Sequence, residues 1–93
     1  MTGEMSREDV SREEFPLYFA IADAVGGTVE PFDVYQGPYI STDKGDLWMV
    51  PDDKWPEYEV RIYNQRTEAR SFPFNIHQDD SALFAVMAAQ SVL

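Results

Sequence analysis

Residues 57–64, EYEVRIYN, form the clearest strand pattern in the chain and decide its fold. Tyr58, Val60 and Ile62 share one face of an extended backbone, and the opposite face carries Glu57, Glu59, Arg61 and Tyr63. This period of two predicts a β-strand.

Other short runs rich in strand-forming residues lie on both sides of this segment: Thr28–Tyr35, Tyr39–Thr42, Leu47–Val50 and Glu68–Phe74. The tetrapeptide DKGD at 43–46 predicts a hairpin between two of these runs, with Gly45 at a left-handed position. Pro31 and Pro73 indicate an edge strand, a bulge or a strand end, because proline has no N–H for a ladder hydrogen bond.

A helical pattern precedes the strands. Ser11 and Glu14 have the spacing of a capping box, whereas Pro16 is a residue type favoured at the first helical position. The first helix therefore begins at one of these two points. Gly26-Gly27 ends it, because glycine accepts the left-handed cap conformation.

A second helix is predicted over Ser81–Val92, capped by Asp79 or Asp80. The element order is then α-β-β-β-β-α. This is an α+β fold in which both helices cover one face of an antiparallel meander of about four strands. Residues 1–10 are expected to be a flexible N-terminus, and residues 11–93 to form a single domain.

Acidic side chains are concentrated before residue 61. The chain has 17 Asp and Glu against 7 Lys and Arg, a net charge of −10. Residues 1–14 carry net −3, residues 15–60 net −7, and residues 61–93 net zero. This distribution predicts a partner with a basic surface. It disfavours direct binding to nucleic acid or to a membrane, because phosphate and anionic lipid would be repelled.

The absence of cysteine excludes disulfides and thiolate chemistry, and it favours a cytoplasmic location. Residues 1–14 are polar and lack the apolar stretch of a signal peptide. The mostly apolar run Phe15–Val25 has 11 residues, too few to span a bilayer. If the chain is phage-encoded, the expected location is the cytoplasm of the host cell.

Residues that often carry catalysis or bind metals form no recognised motif. His77 is the only histidine in the sequence, and with Asp79 and Asp80 it falls short of the ligand set of a zinc site. The aspartates at 43, 46, 52 and 53 lack the spacing of a calcium loop and fit turn positions better. No GxSxG, P-loop or GxGxxG pattern is present. We therefore expect no enzymatic activity, no cofactor and no bound metal.

Residues 52–59, DDKWPEYE, are the strongest candidate for partner binding. Trp55 lies in a loop among acidic side chains, which would pair with Lys or Arg of a partner while the aromatic rings anchor it. Alternatively, Trp55 folds back over the core. Tyr35 and Tyr39 either form a second recognition element at a hairpin tip or close the end of the sheet. The candidate residues are Tyr35, Tyr39, Asp43, Asp46, Asp52, Asp53, Trp55, Glu57, Tyr58 and Glu59.

In size, acidity and lack of catalytic motifs, the chain resembles small phage-encoded inhibitors, notably anti-CRISPR proteins. Ten net charges on a globule about 30 Å across approach roughly half the charge density of duplex DNA. The resemblance implies a non-enzymatic inhibitor that blocks target-DNA binding by a CRISPR effector, or blocks nuclease recruitment. A DNA mimic of this kind would occupy a basic surface of a protein or nucleoprotein complex.

Two other interpretations remain open. The chain could be an accessory or immunity-type module that binds a protein partner, as a monomer or as a homodimer. The apolar end at Val92-Leu93 needs a cover, which either the chain's own core or a twofold interface could supply. It could also be an acidic protein of a high-salt organism, in which charge serves solubility. The neutral stretch 61–93 counts mildly against the high-salt interpretation.

Overall fold

The computed structural model describes residues 12–33 and 37–93, except for the side chains of 32, 33 and 37. In these residues, one helix precedes six strands in the sequence and a second helix follows them. The elements are α1 Pro16–Val25, β1 Thr28–Asp33, β2 Gly37–Thr42, β3 Gly45–Pro51, β4 Glu59–Asn64, β5 Ala69–Arg70, β6 Phe74–Asn75 and α2 Ser81–Ser91. The predicted α+β class is confirmed, with more strands than the four expected. The N-terminus at 1–10 lies outside the described residues.

All strand pairs of the described sheet are antiparallel, in the order β1-β2-β3-β4-β5. The predicted hairpin at 43–46 joins β2 to β3, with Thr42 paired to Gly45 across the turn. The Thr42 hydroxyl accepts the Lys44 N–H at 3.0 Å and donates to the Gly45 carbonyl at 2.7 Å. These local bonds fix the register of the hairpin.

The last predicted strand, Glu68–Phe74, is broken into β5 and β6, which pair with opposite ends of β4. The break lies at Ser71. Its N–H donates to the Ile62 carbonyl, and its hydroxyl accepts the Ile62 N–H, both at 2.8 Å. Because the hydroxyl replaces a backbone carbonyl, the chain bends there without leaving a β4 donor unpaired.

Helix α1 begins at Pro16, the second of the two predicted starts. It ends where Gly26 takes the left-handed conformation at φ 75°, as the sequence indicated. Asp80 occupies the N-cap position of α2, but its side chain makes no capping hydrogen bond. Neither helix of the described segments has the length and apolar character needed to cross a membrane.

The core lies between the two helices and one face of the sheet. Its buried side chains come from both layers: Ile21, Ala22, Ala85, Ala88, Ala89 and Val92 from the helical side, and Val29, Ile40, Leu47, Ile62 and Phe74 from the strands. Small alanines on α2 let the two helices pack closely against each other. As predicted, both helices lie on the same face, and within residues 12–33 and 37–93 no helix lies over the opposite face of the sheet.

Candidate binding face of the sheet

The side of the sheet opposite the helices, here called the open face, follows directly from strand alternation. Leu47 and Ile62 are fully buried on the helix side, so their neighbours Trp48 and Tyr63 point the other way. The described side chains on the open face are Thr28, Glu30, Tyr39, Ser41, Asp46, Trp48, Val50, Glu59, Arg61, Tyr63, Arg70 and Asn75.

Three rings form a row across the open face, here called the aromatic row: Tyr39 on β2, Trp48 on β3 and Tyr63 on β4. Tyr39 and Trp48 are stacked, with ring centroids 4.7 Å apart and planes 25° from parallel. Trp48 pairs directly with Tyr63 in the register of β3 and β4. The Arg70 guanidinium on β5 lies 5.9 Å from the centre of the Tyr63 ring. The aromatic row therefore runs from β2 to β4, and Arg70 of β5 lies at its end.

A shallow groove of about 490 Å³ runs along the aromatic row and is lined by Asp46, Asp53 and Gln65 as well as by the rings. The Trp48 indole N–H donates to the Gln65 side-chain oxygen at 3.3 Å. This bond and the stacked Tyr39 fix the orientation of the indole. The groove is thus lined by an ordered pair of rings and by carboxylates.

Carboxylates outnumber cations around this groove. Glu30, Asp46, Asp53 and Glu59 lie on or beside the open face, against Arg61, Arg70 and Lys54 of the adjoining loop. The Glu30 carboxylate accepts the Thr28 hydroxyl at 2.9 Å. Arg61 is held by an ion pair with Asp52, which leaves these four carboxylates against Arg70 and Lys54 around the groove.

Asp52 has a structural environment that its sequence position did not indicate. It is only 6% exposed, and its carboxylate accepts the Arg61 Nε–H at 2.7 Å and the Lys54 N–H at 3.1 Å. The hydrogen bond from Arg61 is the main cause of the lowered pKa of Asp52. Arg61 also donates to the Ser71 carbonyl at 3.0 Å. Asp52 therefore ties the loop at 52–58 to the sheet.

The loop after β3 exposes its aromatic side chains. Trp55 is 52% exposed and Tyr58 is 53% exposed. The prediction that residues 57 and 58 belong to the strand was wrong. Residues 55–58 form a turn, in which the N–H groups of Tyr58 and Glu59 both donate to the Trp55 carbonyl. β4 consequently begins at Glu59, and Glu57 lies in the turn, so it does not project from β4 beside Glu59 as expected.

The remaining candidate residues fall into separate places. Asp43 is exposed in the β2–β3 turn, where its carbonyl accepts the Arg66 guanidinium at 2.8 Å. Asp46 lies on the open face and Tyr39 in the aromatic row. Tyr35 lies outside the described residues. The structure thus brings Tyr39, Asp46 and Asp53 together at one groove.

Trp48, Tyr63 and Arg70 were not among the predicted binding residues, although they complete the row. The available signal was the alternation of Asp46, Trp48 and Val50 with the apolar Leu47 and Met49. Combined with the alternation at 57–64, it places Trp48 and Tyr63 on the same side of adjacent strands.

His77 lies exposed beside the N-terminal end of α2, in an open hollow with Asp79, Asp80 and Phe84. Its ring contacts Tyr58 edge-to-face, with centroids 6.3 Å apart. Within 12–33 and 37–93, no group of three or more His, Asp or Glu side chains could hold a metal ion.

Compared with known proteins, the chain matches no family model, no curated protein and no solved structure.

Proposed function

We propose that this chain is a non-enzymatic acidic binding protein that inhibits a nucleic-acid-handling complex by occupying one of its basic surfaces. The observation that carries the proposal is the open face, where an ordered aromatic row lies among carboxylates. Aromatic side chains are the usual anchors of protein interfaces, and charge around them steers the partner and sets specificity.

The exposed loop at 53–58 extends this surface. Asp53 contributes to the groove of the open face and also to a second hollow with Trp55, Glu59 and Arg61. The loop and the groove are thereby continuous, and together they offer the aromatic row, the exposed Trp55 and several carboxylates to one partner. A basic channel that normally receives a phosphate backbone has the complementary charge.

A CRISPR effector is the first complex to test, given the size and acidity of the chain. The expected result is that the protein lowers target-DNA binding by at least one of a panel of guide-loaded effectors in a gel-shift assay. Its direct affinity for that effector should fall several-fold from about 50 to 200 mM salt, because charge pairs are screened. Absence of inhibition across the panel contradicts the proposal, and so does an affinity that does not change with salt concentration.

Two charge-matched variants separate a located surface from bulk charge. Asp53→Asn, Glu57→Gln and Glu59→Gln together remove three charges near the loop, whereas Glu13→Gln, Asp79→Asn and Asp80→Asn remove three elsewhere. We expect inhibition to weaken about tenfold in the first variant and less than about twofold in the second. Equal weakening means that net charge alone acts.

A second candidate function rests on α2. Leu83 is 59% exposed and Met87 is 45% exposed, one turn apart on the same side of the helix. Residues 81–93 carry no charge, so this is a surface where two acidic copies would repel each other least. An accessory or immunity-type homodimer would use it. Light scattering at about 50 µM tests this; a monomer contradicts it.

A further inference from the structure

The open face already holds one guanidinium on an aromatic ring. Arg70 lies over Tyr63, at the β5 end of the aromatic row. The chain repeats this arrangement beside α1, where Arg12, which precedes the helix, lies 4.7 Å from the centre of the Phe19 ring. There the same guanidinium also binds both Asp23 oxygens, at 3.0 and 3.4 Å.

An aromatic ring under the guanidinium plane and a carboxylate at its edge together bind a guanidinium. The ring face carries negative charge from its quadrupole and attracts the planar cation, while the carboxylate accepts its N–H groups. The groove supplies these same two elements: the rings of Tyr39 and Trp48 line it, together with the carboxylates of Asp46 and Asp53.

An aromatic row on a sheet can also stack nucleic-acid bases. Base-stacking platforms combine their rings with basic side chains that follow the phosphates. The charged groups around this open face are the carboxylates of Glu30, Asp46, Asp53 and Glu59, against Lys54, Arg70 and Arg61, and Arg61 is already paired with Asp52. The charge therefore favours a cationic side chain over a nucleotide.

We propose that the groove along the aromatic row binds arginine side chains of a protein partner, with Trp48 as the stacking surface and Asp46 and Asp53 as the hydrogen-bond acceptors. This inference rests on the proposed function, and it names the chemical group that the open face takes from the basic surface. Arginine is favoured over lysine because its planar guanidinium stacks on a ring and bonds a carboxylate at the same time.

The test uses labelled nona-arginine and nona-lysine peptides with the full chain, and fluorescence anisotropy as the readout. We expect nona-arginine to bind about threefold or more tightly than nona-lysine. Trp48→Leu should weaken nona-arginine binding about tenfold, which corresponds to about 1.4 kcal/mol. Trp48→Phe keeps a ring at this position and should lose less than about threefold.

The acidic side chains are tested by a charge-matched pair of variants. Asp46→Asn with Asp53→Asn should weaken peptide binding about tenfold, and Asp79→Asn with Asp80→Asn less than about twofold. Thermal melts before titration confirm that each variant is folded. Equal effects of the two pairs, or no effect of Trp48→Leu, overturns the inference, as does tighter binding of a (dT)12 oligonucleotide.

This assay contains no effector complex, so its outcome is separate from that of the gel shift. Peptide binding through Trp48 without inhibition of any effector removes the proposed function and keeps the arginine site. Inhibition that is indifferent to Trp48, Asp46 and Asp53 removes the arginine site and keeps the proposed function.

Discussion

Gly45 lies directly against the buried side-chain amide of Asn64, and this pair joins the turns at one end of the sheet. Asn64 is 0% exposed. Its Nδ2 group donates to the Val92 carbonyl at 2.8 Å and to the Lys44 carbonyl at 3.3 Å. Its Oδ1 atom accepts the Arg66 N–H at 2.9 Å. One side chain thus links the β2–β3 turn, the β4–β5 turn and the end of α2.

Gly45→Ala should be strongly destabilising. Gly45 has φ 137°, and an added Cβ would collide with the Asn64 side-chain amide. Backbone strain and overpacking together predict a loss of about 2–4 kcal/mol in the free energy of unfolding, measured by urea denaturation. Gly26→Ala is the control. It also has positive φ, at 75°, but meets no atom within 4 Å, so about 1 kcal/mol is expected. Equal losses contradict the account.

Asn64→Ala should lower the free energy of unfolding by about 2–4 kcal/mol, because buried backbone groups lose their partners. Asn75→Ala removes a single exposed bond, from the His77 N–H to Oδ1 at 2.7 Å, and should cost about 1 kcal/mol or less. If the two variants unfold at the same urea concentration, Asn64 does not hold this end of the sheet together.

Most elements were predictable because their signals are local. Pro16, Gly26 and the DKGD turn each fix a helix or strand boundary within a few residues. The strand break at Ser71 was not predictable, because it depends on a contact that is not local. The Ser71 hydroxyl, in place of a backbone carbonyl, accepts the N–H of Ile62, nine residues earlier in the chain. The turn at 55–58 was missed for a related reason: the alternating pattern at 57–64 continues beyond the residues that pair.

Asp52→Asn should lower the melting temperature at pH 7 relative to the wild-type protein. The hydrogen bond from Arg61 lowers the pKa of Asp52 in the folded state, so its contribution to stability is present above the unfolded-state pKa and is lost as the pH falls. The difference in melting temperature should therefore shrink below about pH 4.

Asp53→Asn provides the charge-matched control for this experiment, since Asp53 is the exposed neighbour of Asp52. The melting temperature of Asp53→Asn should be close to that of the wild-type protein both at pH 7 and at pH 3. A deficit of Asp52→Asn that persists unchanged at pH 3, or that Asp53→Asn shares at pH 7, would show that the ion pair with Arg61 does not stabilise the loop.

Glu68→Gly should stabilise the protein. Glu68 has φ 63°, a left-handed backbone conformation that is unfavourable for any residue with a Cβ atom. Its N–H donates to the Asn64 carbonyl at 2.7 Å and so closes the β4–β5 turn. Relief of that strain predicts a gain of about 0.5–1 kcal/mol in the free energy of unfolding. Glu68→Ala removes the same charge but does not give the backbone the conformational freedom of glycine. It should change the free energy of unfolding by less than half as much. The reverse order contradicts the interpretation.

The binding face was only partly predictable, because it depends on register across strands. Tyr39, Asp46 and Asp53 were found from residue type and turn context. Trp48 and Tyr63 lie 15 residues apart in sequence and become neighbours only through the pairing of β3 with β4. Asp52, in contrast, is an aspartate like Asp53, but its carboxylate is already bound to Arg61 in an ion pair. Composition cannot distinguish the two.

The central claim, that the open face receives a basic partner, is tested most directly by NMR titration with nona-arginine. The chain has two tryptophans, Trp48 in the aromatic row and Trp55 in the exposed loop, so the two indole N–H signals report on these two surfaces. Met87 on α2 provides a methyl signal from the helical side. The account predicts that the Trp48 indole signal shifts in a saturable way while the Met87 methyl signal stays in place. A shift of Met87 with Trp48 unmoved would contradict it.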